Sequence, residues 1–230
     1  MSLASGLLVG PLQTGDWAFV LSHWRYLAGG VFLTIALTLS SILLGFLVGF
    51  PAGAVEAYGG RYASGAVEVV GTVLRGTPLL VILIYAYFVL PIGSAFVAAV
   101  LGIGLRSAAY QTQIFRGALQ SVDEGQLEAA RAVGLSRVQS IYRVVVPQAI
   151  RRTIPGFQNE FTIVLKDTSL AIAVGFAELL TRTQELFVQQ TTAVLEVILV
   201  ASAIYFVLTF TTNRALDAVE RVYRIPTGET

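Results

Sequence analysis

The chain has no cysteine, which excludes a disulfide framework, a thiolate nucleophile and a thiolate metal site. Histidine is nearly absent as well: His23 is the only one, and a single imidazole cannot build a typical metal centre or catalytic triad. Beside Trp24 it is expected at lipid-headgroup level. Charge is scarce, at 13% of 230 residues, where ordinary soluble domains carry about a quarter. With 55% hydrophobic residues and a mean hydropathy of +0.74, the chain lacks the side chains for a fully hydrated surface, so most of its solvent is lipid. The net charge of +1, with arginines spread over connecting segments, argues against a nucleic-acid partner. No GxxxxGK[ST] loop occurs, so ATP is not expected to bind here in the usual way. No HExxH, nucleophile elbow or metal cluster occurs either, and no enzymatic activity or cofactor is expected. The first twenty residues have neither a positive start nor a clear cleavage site, which predicts an interfacial leading segment rather than a signal peptide.

What the chain does have is long apolar stretches. Residues 29–54 are uncharged and long enough for one bilayer-spanning helix of about 20 residues. A second span is predicted over Tyr62 to Leu90, interrupted by Glu68 and Arg75, which lie seven residues apart on one helix face and about 10 Å apart along its axis. Ionisable groups at membrane depth cost about 2.5 to 3.5 kcal/mol, so both should face protein or water. Arg75 reads equally as a pathway group or as an interhelical anchor. A third span, Ala95 to Ile114, carries Gly102 and Gly104 for close helix packing. The fourth, Ala149 to Leu165, contains Pro155-Gly156, which predicts a broken helix beside a water-lined path. A fifth runs from Ala193 to Thr212, and Glu178 to Gln190 before it is expected at the outer interface.

One long polar segment separates the third and fourth spans: Glu128 to Pro147, EAARAVGLSRVQSIYRVVVP. It reads as two short helices around a glycine hinge, with paired alanines for close contact and Arg131, Arg137 and Arg143 holding it in water. The pattern is Glu128-Ala129-Ala130, three residues, Gly134, nine residues and Val144-Val145-Val146-Pro147. It resembles the cytoplasmic signature of ABC importer permeases, with valines where isoleucine and leucine are usual. Leu74 to Val81, LRGTPLLV, and Lys166 to Leu170, KDTSL, extend the resemblance to the polar amino-acid uptake family from about Val31 to Arg224. Ile82 replaces the family's usual glutamine, and Gln113 stands where a glutamate often follows Tyr110.

The resemblance implies an all-α membrane protein of the type I importer permease kind, with five transmembrane helices and a cytoplasmic coupling elbow over residues 123–146. The whole of 1–230 would form one permease domain, with 1–26 as an interfacial N-terminal segment. Glu128, Ala129, Ala130, Gly134 and Pro147 would couple to a dimer of separate ATPase subunits. A second permease, identical or paralogous, and an extracytoplasmic amino-acid-binding protein are the other expected partners, in a prokaryotic cytoplasmic (inner) membrane. Glu160 and Asp167, two turns apart, would hold an α-ammonium or a cationic side chain, with Thr77, Asn159 and Arg75 as neighbours. Asn159-Glu160 resembles members that carry basic amino acids, which makes the expected substrate a polar or basic one. The competing reading of Glu160 is a buried pair with an arginine such as Arg75, and that of Asp167 is a helix N-cap.

Five spans with a cytosolic elbow place the N-terminus outside and the C-terminus inside. The arginines agree: Arg61, Arg116, Arg131, Arg137, Arg143, Arg151, Arg152, Arg214, Arg221 and Arg224 fall inside, against Arg25 and Arg182 outside. A secondary transporter using Glu160 and Asp167 as ion-coupling groups is the alternative, but such folds show internal repeats and none is present here.

Overall fold

The computed structural model describes residues 14–223, and within them every regular element is helical. A short α1 (Thr14–Ser22) leads into α2 (Trp24–Tyr58), so residues 24–26 of the expected interfacial segment already belong to the long helix. Residues 1–13 and Arg224 lie outside the described residues. At 1.5 Å per residue α2 is about 52 Å long and overshoots a hydrocarbon core of about 30 Å. Its glycines 45, 49 and 53 repeat every four residues and face α5 (Ala95–Gln120). A Cβ on Gly49 would stand 2.7 Å from the Ala108 carbonyl oxygen, and one on Gly53 2.8 Å from Phe115 Cβ. The α2–α5 contact, the most extensive in the chain, depends on those missing side chains. Gly102 and Gly104 do the same for Leu83 and Leu44, as their sequence position suggests.

The second span is not one straight helix. It is split into α3 (Arg61–Gly76) and α4 (Leu79–Phe88), bent by 101° at Thr77-Pro78. Pro78 has no N–H to continue the ladder, and it holds Thr77 extended at φ −90°, ψ 131°. Among the described residues two helices, α2 and α10 (Val194–Tyr223), are long and apolar enough to cross a bilayer alone, and the bent pair makes a third if counted as one span. The other long helices, α5 and α8 (Val146–Asp167), carry the polar groups described below.

The expected break at Pro155-Gly156 does not occur: α8 runs through it. Gly156 instead receives Ile114, whose Cγ2 would lie 3.0 Å from an added Cβ. The irregularity falls earlier, at a π-helical turn Ile141–Val145, where the Val146 N–H bonds the Ile141 carbonyl. That turn absorbs Pro147, which has no N–H of its own, and leaves α7 (Arg137–Ser140), the π turn and α8 as one helical run. A 3₁₀ turn, Thr168–Val174, then ends at Gly175 with φ +71°, where an L side chain would be strained. Beyond it, α9 (Leu179–Gln189) packs on α2 and α10, and Asp16 fastens α1 to the same end by accepting from Gln190 Nε2 at 3.0 Å and Thr192 Oγ1 at 2.8 Å.

Candidate functional site

Antiparallel packing of α8 on α5 sets the register of the acidic pair. Ala149 and Val145 meet Ala118 and Leu119 at one end, and Glu160 meets Ser107 near the middle of α5. Glu160 is 4% exposed and accepts a 2.7 Å hydrogen bond from Ser107 Oγ. Ser107 in turn accepts from Gln111 Nε2 at 3.1 Å, and Gln111 also donates to the Ile42 carbonyl of α2. Two buried oxygens in this neighbourhood, Gln111 Oε1 and Ser41 Oγ, have no partner. The competing reading of Glu160 as a buried pair with Arg75 is not what forms: Arg75 donates to the Ala109 carbonyl at 2.9 Å and to Thr72 Oγ1 at 3.5 Å, tying α3 to α5 as an interhelical anchor.

Asp167 does not cap a helix. The chain continues from α8 directly into the 3₁₀ turn, leaving no free helix N-terminus, and its side chain makes no capping bond. Its Oδ2 instead takes Arg106 at 2.7 Å, an ion pair in which each side chain is 23% exposed. Arg106 also lies over the Tyr110 ring, 5.2 Å from its centroid. So Glu160 and Asp167 do share one side of α8, and adjacent residues of α5, Ser107 and Arg106, hold them. Thr77 donates to the Val73 carbonyl of its own helix, and Asn159 is exposed; neither is hydrogen-bonded to the acidic pair.

Sequence reasoning missed Arg106, although an arginine inside an apolar run is the signal that intramembrane charges give. It also placed Glu56 in the turn after the first span, over Glu56 to Arg61, whereas α2 continues to Tyr58. The Glu56 side chain, 2% exposed, accepts from Gln113 Nε2 at 2.9 Å and Arg116 at 3.3 Å. That contact accounts for Gln113: a carboxylate at this position would confront Glu56, whereas an amide donates to it.

The polar segment forms the elbow its spacing suggests. Asp123 caps α6 (Glu124–Ala132), accepting from Gly125 N at 2.7 Å, and Glu128 and Ala129 are exposed while Ala130 is buried. Gly134 then turns the chain at φ +93°, and Ser136 opens α7 with a reciprocal capping box to Gln139. Around the turn Val133, Val138 and Tyr142 are 81%, 75% and 73% exposed, apolar side chains raised into solvent. Beneath it lies an open cavity of about 640 Å³ between the ends of α2 and α5, bordered by Tyr58, Leu127, Glu128, Arg131 and Arg137.

Residues 41–225 match the family described as the binding-protein-dependent transport system inner membrane component. The chain is 34% identical over 216 residues to the glutamine transport system permease protein GlnP of Escherichia coli (strain K12), covering 91% of this chain and 98% of that one. It is 32% identical to the L-cystine transport system permease protein TcyB of Bacillus subtilis (strain 168), covering 87% of each. Among solved structures, an amino acid ABC transporter crystallised with histidines superposes with a TM-score of 0.82 at 31% identity, over 91% of this chain and 99% of that one. The inward-facing MetNI methionine ABC transporter, at 21% identity and TM-score 0.71, covers 86% of this chain and 98% of its own and shares the fold. With the helical elbow, the apolar spans and these matches together, the chain belongs to the inner-membrane permease family of ABC importers, in the branch that serves polar amino acids.

Proposed function

We propose that this chain forms the substrate pathway of an ATP-driven amino-acid importer and takes its drive from a separate ATPase docked on the elbow. The observation that carries this reading is the elbow itself: two capped helices joined at Gly134, φ +93°, with Val133, Val138 and Tyr142 standing in solvent. Residues 123–146 would be the coupling element of a single permease domain, with Glu128, Ala129 and Ala130 on its docking helix. The functional unit would hold two permeases, two ATPases and an external binding protein. The five-span arrangement, with the N-terminus outside and the C-terminus inside, fits the arginine distribution and would make α5 and α8 spans whose polar faces meet protein or water.

The substrate is a polar amino acid. Relatives are named for glutamine, cystine and nopaline, which share a zwitterionic head. A basic substrate would require Glu160 and Asp167 to exchange Ser107 and Arg106 for the ligand's ammonium or guanidinium group. Thr77, Asn159 and Arg75 border this reading less directly, since Arg75 is committed to Ala109. Gly134→Val tests the coupling role: a β-branched residue is strained at φ +93°, so the ATPase should no longer co-purify while the chain still inserts. Normal co-purification would sink the assignment.

A further inference from the structure

Arg106 sits near the middle of α5, and the only hydrogen bond it makes among the described residues is to Asp167. A guanidinium carries five N–H donors, and here the Nε is buried with no acceptor at all. The side chain is nonetheless 23% exposed, and in a helix read as a span a charge that faced hydrocarbon would be costly. Its open side therefore meets water, whatever crosses, or the surface of the second permease. Asp167 and the Tyr110 ring fix the plane of the group from two directions, so it is held ready rather than free to search.

The charges within reach of that space also favour a carboxylate. Glu160 is withdrawn behind Ser107 at 4% exposed, while Lys166, the chain's single lysine, is exposed beside Asp167. The exposed part of this cluster is thus the pair Arg106–Asp167 itself, with Glu160 buried behind it and guanidinium donors still unused. A lysine or arginine ligand would bring a second positive charge up to Arg106. A ligand carboxylate would find unclaimed guanidinium donors in the fork geometry that suits it.

Building on the reading of the chain as an amino-acid permease, we propose that Arg106 is a specificity-determining residue of the pathway. Oriented by Asp167, it receives a substrate carboxylate, so that dicarboxylic and neutral polar amino acids are accepted and cationic ones disfavoured.

The test uses the solubilised permease–ATPase complex without its binding protein, so that selection by that protein does not mask selection by the chain. Equilibrium binding of radiolabelled L-glutamate, L-glutamine and L-arginine is measured. The intact complex should bind arginine at least about ten-fold more weakly than the other two, and Arg106→Gln should reduce glutamate binding by roughly ten-fold or more while arginine binding strengthens. Arg106→Lys should fall between, retaining the charge without the fork. An unchanged order of affinities in Arg106→Gln, or arginine as the preferred ligand of the intact complex, overturns the proposal. If Arg106→Gln does not assemble, Asp167→Asn decides: the amide oxygen still accepts from the guanidinium and keeps it oriented, while the negative charge that opposes an incoming carboxylate is gone, so glutamate should bind more tightly, and unchanged or weaker binding rejects the role. Binding of none of the three by a complex that still takes up an amino acid with its binding protein also overturns it. A complex with no amino-acid uptake at all removes the permease reading beneath it.

Discussion

Glu178 and Glu160 are both almost wholly buried carboxylates in a chain made for lipid, yet their surroundings differ. Glu178, at the start of α9, is 0% exposed and accepts from the Leu180 and Thr181 backbone N–H groups at 2.9 and 2.8 Å, from the Thr181 hydroxyl at 3.2 Å and from Tyr205 at 2.7 Å. It caps α9 and ties it to α10, and Thr34 reaches it from α2 at 3.5 Å. Glu160, on α8, has a single hydrogen-bond donor, Ser107. A buried charge met by several donors is scaffold; one met by a single hydroxyl, next to a partly exposed ion pair, leaves acceptor positions open to another partner.

The comparison should be most visible in Glu178→Ala. Losing a cap and several charge-assisted bonds at once should cost about 3 kcal/mol or more, seen as a lower thermal midpoint of the detergent-solubilised chain. Indifference to that change would erase the distinction. Ser107→Ala should have a smaller effect, about 1.5 kcal/mol, because it strips Glu160 of its donor and Gln111 of an acceptor; the same melting measurement reads it. Smallest of all should be Glu160→Gln, under about 1 kcal/mol, since the amide oxygen can still accept from Ser107. Here the informative readout is uptake by the assembled complex, which should fall further than the folded fraction does. A parallel fall would return Glu160 to the scaffold.

The elbow was legible because its signals are local. A glycine among helix formers, paired alanines, and arginines between apolar runs each act within a few residues. The bend at Thr77-Pro78 was just as local, and the proline rule alone would have placed it; reading the apolar run as a single span hid it. Pro155 misled in the opposite direction, because whether a helix survives a proline depends on its packing, and Ile114 against Gly156 is a tertiary fact. Asp167 was a matter of continuity: Asp-Thr-Ser caps a helix only where one begins, and here the previous one had not ended. Arg106 and Glu178 belong to a third kind. Their residue types were visible, but their partners lie 61 residues away for Arg106 and 27 residues away for Glu178 with Tyr205, beyond the reach of any periodicity.

The run from Arg137 through the π turn to Asp167 has a mechanical corollary. It is about 46 Å long, so a ten-degree swing at its cytoplasmic foot displaces the far tip by about 8 Å. That tip carries Asp167, so under the proposed coupling role of the elbow the grip on Arg106 would lie at the far end of a lever arm. A continuous helix of this kind would need no relay of side-chain rearrangements to pass on a movement of the elbow; it would need only to hold its shape, with Pro155, which removes one rung of its hydrogen-bond ladder, as its weakest point.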